Sequence, residues 1–328
     1  MERAAQIQEI TDRLQEGIRQ VYKSENYQAY LNTVSKFHKY SANNIILINM
    51  QKPNATCVAG YKTWKNSFGR HVKAGEKAIK IYAPNPYKRV IEKPVLDEKG
   101  NPRIGLDGQI MKQKVDEYIV SNYKVVNVFD ISQTEGKELP KICTELQGKV
   151  EKYADLKEAI TRYSPVPFEK MAADMKGFGY YSHSTKSIGI KEGLSEIHTI
   201  KTSIHELSHS ILHDNETGIA RDETTNAREI QAESIAYTVC QHYGIDTSDY
   251  SFNYVAAWSS DKDLKELKES LDVIQQTSSQ IISGIDEKLG EIQYENFLES
   301  VKEQEEVEMR PLEMEETYQE KLEMEIIR

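Results

Sequence analysis

The sequence has no long apolar run and only three cysteines. No uninterrupted apolar stretch approaches the ~20 residues that cross a bilayer, which excludes a membrane-spanning helix. Residues 1–20 lack the basic segment followed by an apolar one that secretion requires, so we expect a cytoplasmic protein without a membrane partner. Cys57, Cys143 and Cys240 are far apart and form no CxxC pair, which excludes a disulfide framework and a thiolate metal site. We expect them to be small buried side chains.

Charge is distributed unevenly along the chain. The net charge is -10, yet residues 51–90 contain nine basic residues and a single acidic one, Glu76, a local charge of +8. Residues 286–328 are strongly acidic. A net charge of one sign therefore does not exclude a nucleic-acid partner for the basic segment.

Length and patterning predict an α+β protein with two domains. The 328 residues exceed the length at which a single core usually stops growing. Apolar side chains at helical spacing predict three helices in residues 2–50, whereas residues 78–84 and 123–129 read as strands. We place an α+β domain at 1–145, a second domain at 146–260 and a helical, acidic extension at 261–328.

The second domain has the element pattern of a small sheet beside two long helices. A helix is predicted at 152–163, a hairpin at 179–190, and helices at 195–213 and 226–243. The hairpin directly precedes the first long helix, so its edge strand is a candidate site for an extended peptide. Tyr180 and Tyr181 on that strand are candidates to face a substrate carbonyl, although tyrosine in a strand more often serves packing.

Residues 205–209 form an HExxH pattern on the first long helix. His205 and His209 are separated by i, i+4 and project from one face, where both imidazoles can bind one Zn²⁺ ion. Glu206 lies beside them and can accept a proton from a metal-polarised water that attacks a carbonyl. We therefore predict zinc as the cofactor, Glu206 as the catalytic base and a peptide or protein as the substrate.

The third metal ligand is expected on the next helix. Glu229 and Glu233 also stand at i, i+4, on a helix whose apolar residues predict burial, where unpaired carboxylates are costly. We prefer Glu229 as the ligand and Glu233 as the acceptor that orients a ligand histidine, and the reverse assignment stays open. His213 repeats the i, i+4 step but lies roughly 12 Å along the helix axis from His205, so we interpret it as a helix-end residue.

Aromatic residues interleave with the cations of the basic segment, a combination typical of single-strand nucleic-acid binding. Lysine and arginine meet the phosphates while bases stack on exposed rings. The alternative is that the aromatic residues belong to a core and the lysines only solubilise it. The predicted DNA-binding residues are Tyr61, Lys62, Trp64, Lys65, Arg70, Lys73, Lys77 and Lys80.

Two separate regions resemble the ArdC-type antirestriction proteins. The first comprises residues 40–44 (YSANN), 60–64 (GYKTW), 69–77 (GRHVKAGEK) and 128–134 (VFDISQT). The second comprises residues 201–209, which contain HExxH, and 229–233 (EIQAE). The resemblance implies an N-terminal domain that binds single-stranded DNA and a C-terminal zincin-like metallopeptidase domain similar to the ImmA and IrrE metallopeptidases.

Two functions therefore compete. In the first, the chain is a zinc metallopeptidase coupled to single-stranded DNA binding, with a role in antirestriction or in the establishment of a mobile element. In the second, it coats and protects single-stranded DNA, and its zinc site is structural or does not cleave peptides. An intact Glu206 favours the enzyme, because a structural site has no need of a base.

Overall fold

The computed structural model describes residues 2–105, 108–138, 150–172, 174–218, 224–245, 252 and 255–326. Its contacts divide the chain into two compact units. Unit 1 comprises Met1–Thr33 and Tyr40–Pro140, and unit 2 comprises Val34–Lys39 and Lys141–Arg328. The expected boundary at 145/146 lies outside the described residues. The prediction of a mixed helix and sheet protein is confirmed.

Unit 1 begins with helices whose bounds are close to those expected from the apolar spacing. They are α1 (Glu2–Val21), α2 (Ser24–Phe37), whose last residues belong to unit 2, and α3 (Ala42–Gln51). Ile10, Leu14 and Ile18 recur at every fourth position of α1 and are all buried, so one stripe of this helix faces the core.

The rest of unit 1 is built on a long antiparallel hairpin. Its elements are β1 (Val58–Gly60), α4 (Tyr61–Asn66), β2 (Arg70–Val72), β3 (Ile79–Pro94), β4 (Lys112–Asp130), a 3-10 turn (Ile131–Gln133) and β5 (Thr134–Gly136). β3 and β4 pair along their whole length, with one irregularity between Pro84 and Pro86. Both strands are far longer than predicted, because polar residues within 92–117 continue the pairing of the hairpin. Isolated β-bridges follow in the segment that connects the two strands.

Two side chains of α3 cover the free edge of β3. The sheet order is β1-β4-β3, which leaves β3 at an edge. Asn44 donates to Tyr82 O and accepts from Tyr82 N, both at 2.9 Å. Gln51, two turns later, makes the same pair of bonds with Lys80, also at 2.9 Å. The two amides therefore satisfy edge groups that would otherwise offer a site for strand addition.

Unit 2 contains a small mixed sheet and five helices among its described residues. The elements are α5 (Val150–Tyr163), β6 (Phe168–Met171), β7 (Gly179–Ser182), β8 (Ser187–Lys191), α6 (Glu196–Leu212), α7 (Thr225–His242), α8 (Val255–Ser259) and α9 (Leu264–Ile326). The sheet order is β6-β8-β7, with β6 parallel and β7 antiparallel to β8. The predicted hairpin is present, and β6 is a strand that the sequence pattern did not indicate.

The first part of α9 belongs to the core of unit 2. Leu267, Leu271, Ile274 and Ile281 are buried, and the helix packs against α5 and α7. Residues 261–298, expected to form part of a separate extension, are therefore part of this unit. None of the described helices is both long and apolar enough to cross a membrane. Cys240 is buried and Cys57 half-buried, whereas Cys143 lies outside the described residues.

Candidate metal centre

His205 and His209 converge on one face of α6. The helix starts at an N-cap, Ser195, whose side chain accepts a hydrogen bond from the backbone of His198. The Nε2 atoms of the two histidines lie 3.1 Å apart. Both side chains are mostly buried, with exposed fractions of 21% for His205 and 14% for His209. Two nitrogen lone pairs can thus be directed at one point.

Glu229 reaches the same point from α7. One of its carboxylate oxygens lies 3.6 Å from His205 Nε2, and the other lies 3.5 Å from His209 Nε2. One ligand atom from each of these three residues lies within 4.8 Å of the other two. Two imidazoles and a carboxylate, with an accessible side, form a donor set suited to a catalytic divalent metal ion.

Glu233, one turn further along α7, contacts the opposite nitrogen of His205. Its Oε2 lies 3.1 Å from His205 Nδ1. A carboxylate in this position fixes which ring nitrogen carries the proton and leaves Nε2 free for a metal ion. The geometry therefore favours Glu229 as the ligand over the reverse assignment.

The electrostatics of the cluster favour a bound cation. Burial lowers the pKa of His205, but hydrogen bonds to Glu229 and Glu233 outweigh it and raise the pKa to about 10. The pKa of Glu229 lies well below its usual range because of its hydrogen bonds to His205 and His209. Two carboxylates beside two imidazoles form a concentration of negative charge that a divalent ion offsets, so the residues present fit the metal.

Glu206 lies beside the histidines and is 9% exposed. Burial raises the pKa of its carboxyl group, while His205, His209 and a backbone hydrogen bond from Tyr181 act in the opposite direction. The backbone of β7 comes close to this side chain because residue 179 is glycine. A Cβ at Gly179 would lie 3.2 Å from Glu206 Cγ and 2.6 Å from Thr202 Cγ2.

An open cleft of about 280 Å³ leads to the histidines between α6 and β7. Its polar groups include the carboxylates of Glu206 and Glu233. The rings of Phe178 and His198, which also line the cleft, pack against each other with 4.3 Å between their centroids. The lining residues are Phe178, Gly179, His198, Lys201, Thr202, His205, Glu206 and Glu233.

The two tyrosines of β7 have other partners. Tyr181 donates to Asp214 at 2.6 Å, and Tyr180 donates to Glu169 at 3.0 Å. Neither hydroxyl is therefore directed at a substrate carbonyl in this structure. His213 caps the C-terminal end of α6, as expected for a helix-end residue, but its ring also contacts His209, which sequence reasoning missed.

In unit 1, Trp64 cannot serve as a base-stacking residue. Its side chain is completely buried, and its Nε1 donates to Phe129 O at 2.8 Å. Its prediction as a DNA-binding residue is wrong, because this indole is the side chain that α4 buries in the core, where no base can reach it. The Arg70 side chain also makes its hydrogen bonds within unit 1. It donates to Thr134 and to the backbone of Gly136 and Lys137.

Most of the other predicted DNA-binding residues lie on the surface. Tyr61 is 54% exposed at the start of α4, and Lys62 and Lys65 on the same helix are exposed. Lys73 is exposed and donates to Ser132 O at 3.0 Å. Lys77 is exposed, whereas Lys80 is half-buried. An exposed ring flanked by two lysines is thus present on α4.

Family models match both units. Residues 2–129 match the N-terminal domain of the anti-restriction factor ArdC, and residues 165–243 match the IrrE N-terminal-like domain, Peptidase_M78. The chain thus contains one region similar to the ArdC N-terminal domain and one similar to the IrrE N-terminal-like domain. The resemblance indicated by the sequence motifs is thereby confirmed.

Individual proteins also resemble the chain. An uncharacterized protein of Bacillus anthracis is 31% identical over 317 residues, which cover 88% of the chain and 52% of that protein. The chain therefore spans about half the length of this relative. Crystal structures of the antirestriction ArdC protein from plasmid R388, metal-free and Mn(II)-bound, are each 17% identical to it, with TM-scores of 0.47 and 0.43. The matches cover 77% and 76% of this chain and 86% and 85% of those chains.

Two residues of the motif at 128–134 make their hydrogen bonds within unit 1. Asp130 accepts hydrogen bonds from the backbones of Thr56, Cys57 and Ser132. Gln133 accepts from the Asp130 backbone at 2.9 Å, which completes a capping box. Its amide nitrogen also donates to Lys77 O at 2.8 Å. Residues 128–134 therefore join the end of β4 to the loops around it.

Proposed function

We propose that the chain is a zinc-dependent peptidase whose N-terminal unit binds single-stranded DNA. The observation that carries the proposal is the convergence of His205 Nε2, His209 Nε2 and Glu229 within 4.8 Å, with Glu206 beside them. Zinc is the ion we propose, because two imidazoles and one carboxylate are the protein ligands of many catalytic zinc sites. The match to the IrrE N-terminal-like domain supports the peptidase class.

Each residue has a distinct task in this proposal. His205, His209 and Glu229 hold the ion, and Glu233 keeps Nδ1 of His205 protonated. The ion would supply Lewis acidity toward water and toward a carbonyl oxygen. Glu206 accepts the proton of the attacking water, and burial raises the pKa of its carboxyl group, which makes it a stronger base.

The outer edge of β7 at Gly179 is the proposed binding site for the peptide, because the Tyr181 N–H further along the same edge is already bonded to Glu206. Among the described strands β7 pairs only with β8, and Phe178 O accepts from Lys191 N on that side at 2.9 Å. Because antiparallel pairing alternates, the backbone groups of Gly179 turn toward the open side. An extended peptide that adds to this edge lies along the cleft beside Glu206.

The proposed partner of unit 1 is single-stranded DNA in the cytoplasm. The match to the ArdC N-terminal domain supports an antirestriction role. The exposed Tyr61, Lys62 and Lys65 supply one stacking ring and two phosphate contacts on a single short helix. Binding of this kind is independent of base sequence and depends strongly on salt.

The decisive experiment compares Glu206→Gln with a control on the same helix, Glu196→Gln, in the full chain. Hydrolysis of a quenched-fluorescence peptide library and zinc content are measured together, with and without single-stranded DNA. Glu206→Gln should keep its zinc and lose about 10²–10⁴-fold in rate, since the general base is removed. Glu196 is exposed at the first turn of α6, and its variant should behave like the unmodified protein. Equal rates for both variants would disprove the role of Glu206.

The second candidate function is protection of single-stranded DNA without peptide cleavage. The exposed ring and lysines of α4 favour it, because they need no metal chemistry. The two functions separate in a restriction-protection assay. If Glu206→Gln protects incoming DNA as well as the unmodified chain does, coating is the function that matters there.

A further inference from the structure

A buried pair of side chains, His213 and Gln231, lies behind the proposed metal ligands. Each residue is only 1% exposed. His213 Nδ1 lies 2.9 Å from Nδ1 of His209, and His213 Nε2 lies 2.9 Å from Oε1 of Gln231. The contacts form a line that runs from α6, through its C-cap, into the middle of α7.

The positions of the protons along this line follow from what each atom can do. The carbonyl oxygen of Gln231 only accepts, so Nε2 of His213 carries a proton and donates it. In a neutral imidazole the other nitrogen, Nδ1, is then an acceptor. The proton between the two histidines must therefore belong to His209 Nδ1. That assignment leaves Nε2 of His209 without a proton and directed at His205 and Glu229.

We propose that His213 and Gln231 are positioning residues that fix His209 in the tautomer able to bind the metal. The inference rests on the proposed metal site and adds residues to it. In this proposal His213 and Gln231 orient His209 as Glu233 orients His205, but the pair is neutral and Glu233 is a carboxylate. A neutral pair is physically reasonable here, because Glu206, Glu229 and Glu233 already place three carboxylates around one cation.

The backbone supports the same arrangement. His213 N donates to His209 O at 2.9 Å, so the ring is attached to the last turn of the helix that carries both histidines. Gln231 lies two residues after Glu229 and two before Glu233, on the inner side of α7, where Ile230 and Ala232 are also buried. In this proposal α7 thus presents one metal ligand, Glu229, and two orienting groups, Gln231 and Glu233, to α6.

The test measures zinc affinity of the full chain by competition with a fluorescent chelator. His213→Ala and Gln231→Leu should each weaken binding about 10–100-fold, the usual loss for a group that orients a metal ligand. Gln231→Glu keeps an acceptor of the same length and should bind zinc at least several-fold more tightly than Gln231→Leu. His183→Gln, in the turn between β7 and β8, serves as the histidine control and should bind as the unmodified chain does.

The variants also distinguish orientation from general disruption. Gln231→Leu removes the hydrogen-bond acceptor and Gln231→Glu keeps it, and thermal melts verify that both variants are folded. Equal zinc affinity for these two variants, or an unchanged affinity in Gln231→Leu, would overturn the proposal. If the unmodified chain and His209→Ala bind zinc equally weakly, the metal site itself is wrong and the proposed function fails with it. Zinc binding that His209→Ala abolishes, but that Gln231→Leu leaves intact, overturns the orienting pair alone.

Discussion

Glu233 Oε2 lies 3.1 Å from Nδ1 of His205, whereas Glu229 Oε2 lies 3.6 Å from Nε2 of the same ring. The two carboxylates stand one turn apart on α7 and hold one imidazole from both sides. The tasks that we propose for them therefore differ, although both residues are glutamates on the same helix. Glu229 faces both Nε2 atoms, and Glu233 faces Nδ1 of His205.

The first prediction compares Glu229→Gln with Glu233→Gln. Loss of the Glu229 carboxylate removes a charged ligand, and zinc affinity should fall by more than about 10²-fold. Loss of the Glu233 carboxylate removes an orienting group, and the fall should be about 10–100-fold. Isothermal titration of the full chain with zinc, in competition with a chelator, measures both. A larger loss of zinc affinity in Glu233→Gln than in Glu229→Gln would mean that Glu233 is the ligand.

A second prediction concerns the close approach of β7 to α6. Gly179→Ala places a Cβ 2.6 Å from Thr202 Cγ2, a distance that real Cβ atoms do not adopt. Either the Thr202 side chain or β7 must shift beside Glu206, and we expect peptide hydrolysis to fall at least 10-fold, since small displacements are costly in catalysis. Gly290→Ala, on α9, is the control, because its Cβ meets no atom within 4 Å. Unchanged hydrolysis in Gly179→Ala would show that this close approach does not matter.

The third prediction separates the core from the DNA surface in α4. Trp64→Ala should destabilise the protein by about 3–5 kcal/mol, because a fully buried indole is removed. Tyr61→Ala should change stability by less than about 0.5 kcal/mol. It should also weaken single-stranded DNA binding by about 1–3 kcal/mol, the usual contribution of one stacked base.

Urea unfolding and fluorescence polarisation with a labelled oligonucleotide measure the two effects. The double variant Lys62→Ala/Lys65→Ala should also flatten the dependence of affinity on salt concentration, because two phosphate contacts are lost. Two results together would show that α4 is not part of the DNA site. They are an unchanged DNA affinity in Tyr61→Ala and an unchanged salt dependence in the lysine double variant.

The local part of the site was predictable from the sequence. A spacing of i, i+4 on a helix fixes which side chains share a face, so His205, His209 and the pair Glu229 and Glu233 follow from the pattern. The same reasoning predicts most helices and the hairpin before α6. These features depend on neighbours within one or two turns, which a sequence displays directly.

Features that depend on distant residues were not predictable. Trp64 is buried because its indole reaches Phe129, 65 positions away, and composition alone made it look like a DNA contact. β6 forms by pairing with β8, and His213 acquires its partner Gln231 from the next helix. The length of the β3 and β4 hairpin comes from mutual pairing of polar residues, which carry little alternation of their own.

The fourth prediction is an acid sensitivity of unit 2 that originates at His38. This side chain is 7% exposed, and its ring packs edge-on against His242 at 4.9 Å between centroids. Burial, with the positive charges of His242 and Lys39, lowers the pKa of His38 to about 4, while Asp286 opposes the change. The unfolded chain has a pKa near 6.5 at this position and therefore binds more protons between about pH 6.5 and 4. Stability contributed by neutral His38 is lost as the pH falls through that window.

The measurement is urea unfolding at pH 7.5 and 5.0 for the unmodified chain and for His38→Leu. On acidification, the free energy of unfolding should fall by about 1–2 kcal/mol more for the unmodified chain than for the variant, because leucine does not titrate. Other titrating groups contribute equally to both proteins and cancel in the difference. Equal losses would show that the His38 imidazole is accommodated in its charged form.

The central claim is that His205, His209 and Glu229 together hold a metal ion. It is tested most directly by metal content after zinc loading and exhaustive dialysis, measured by mass spectrometry of the full chain and of His209→Ala. We expect one zinc ion per unmodified chain and a nearly complete loss in His209→Ala. Retention of the same amount of zinc by both proteins, or its absence from the unmodified chain, would show that these three residues do not form a metal site.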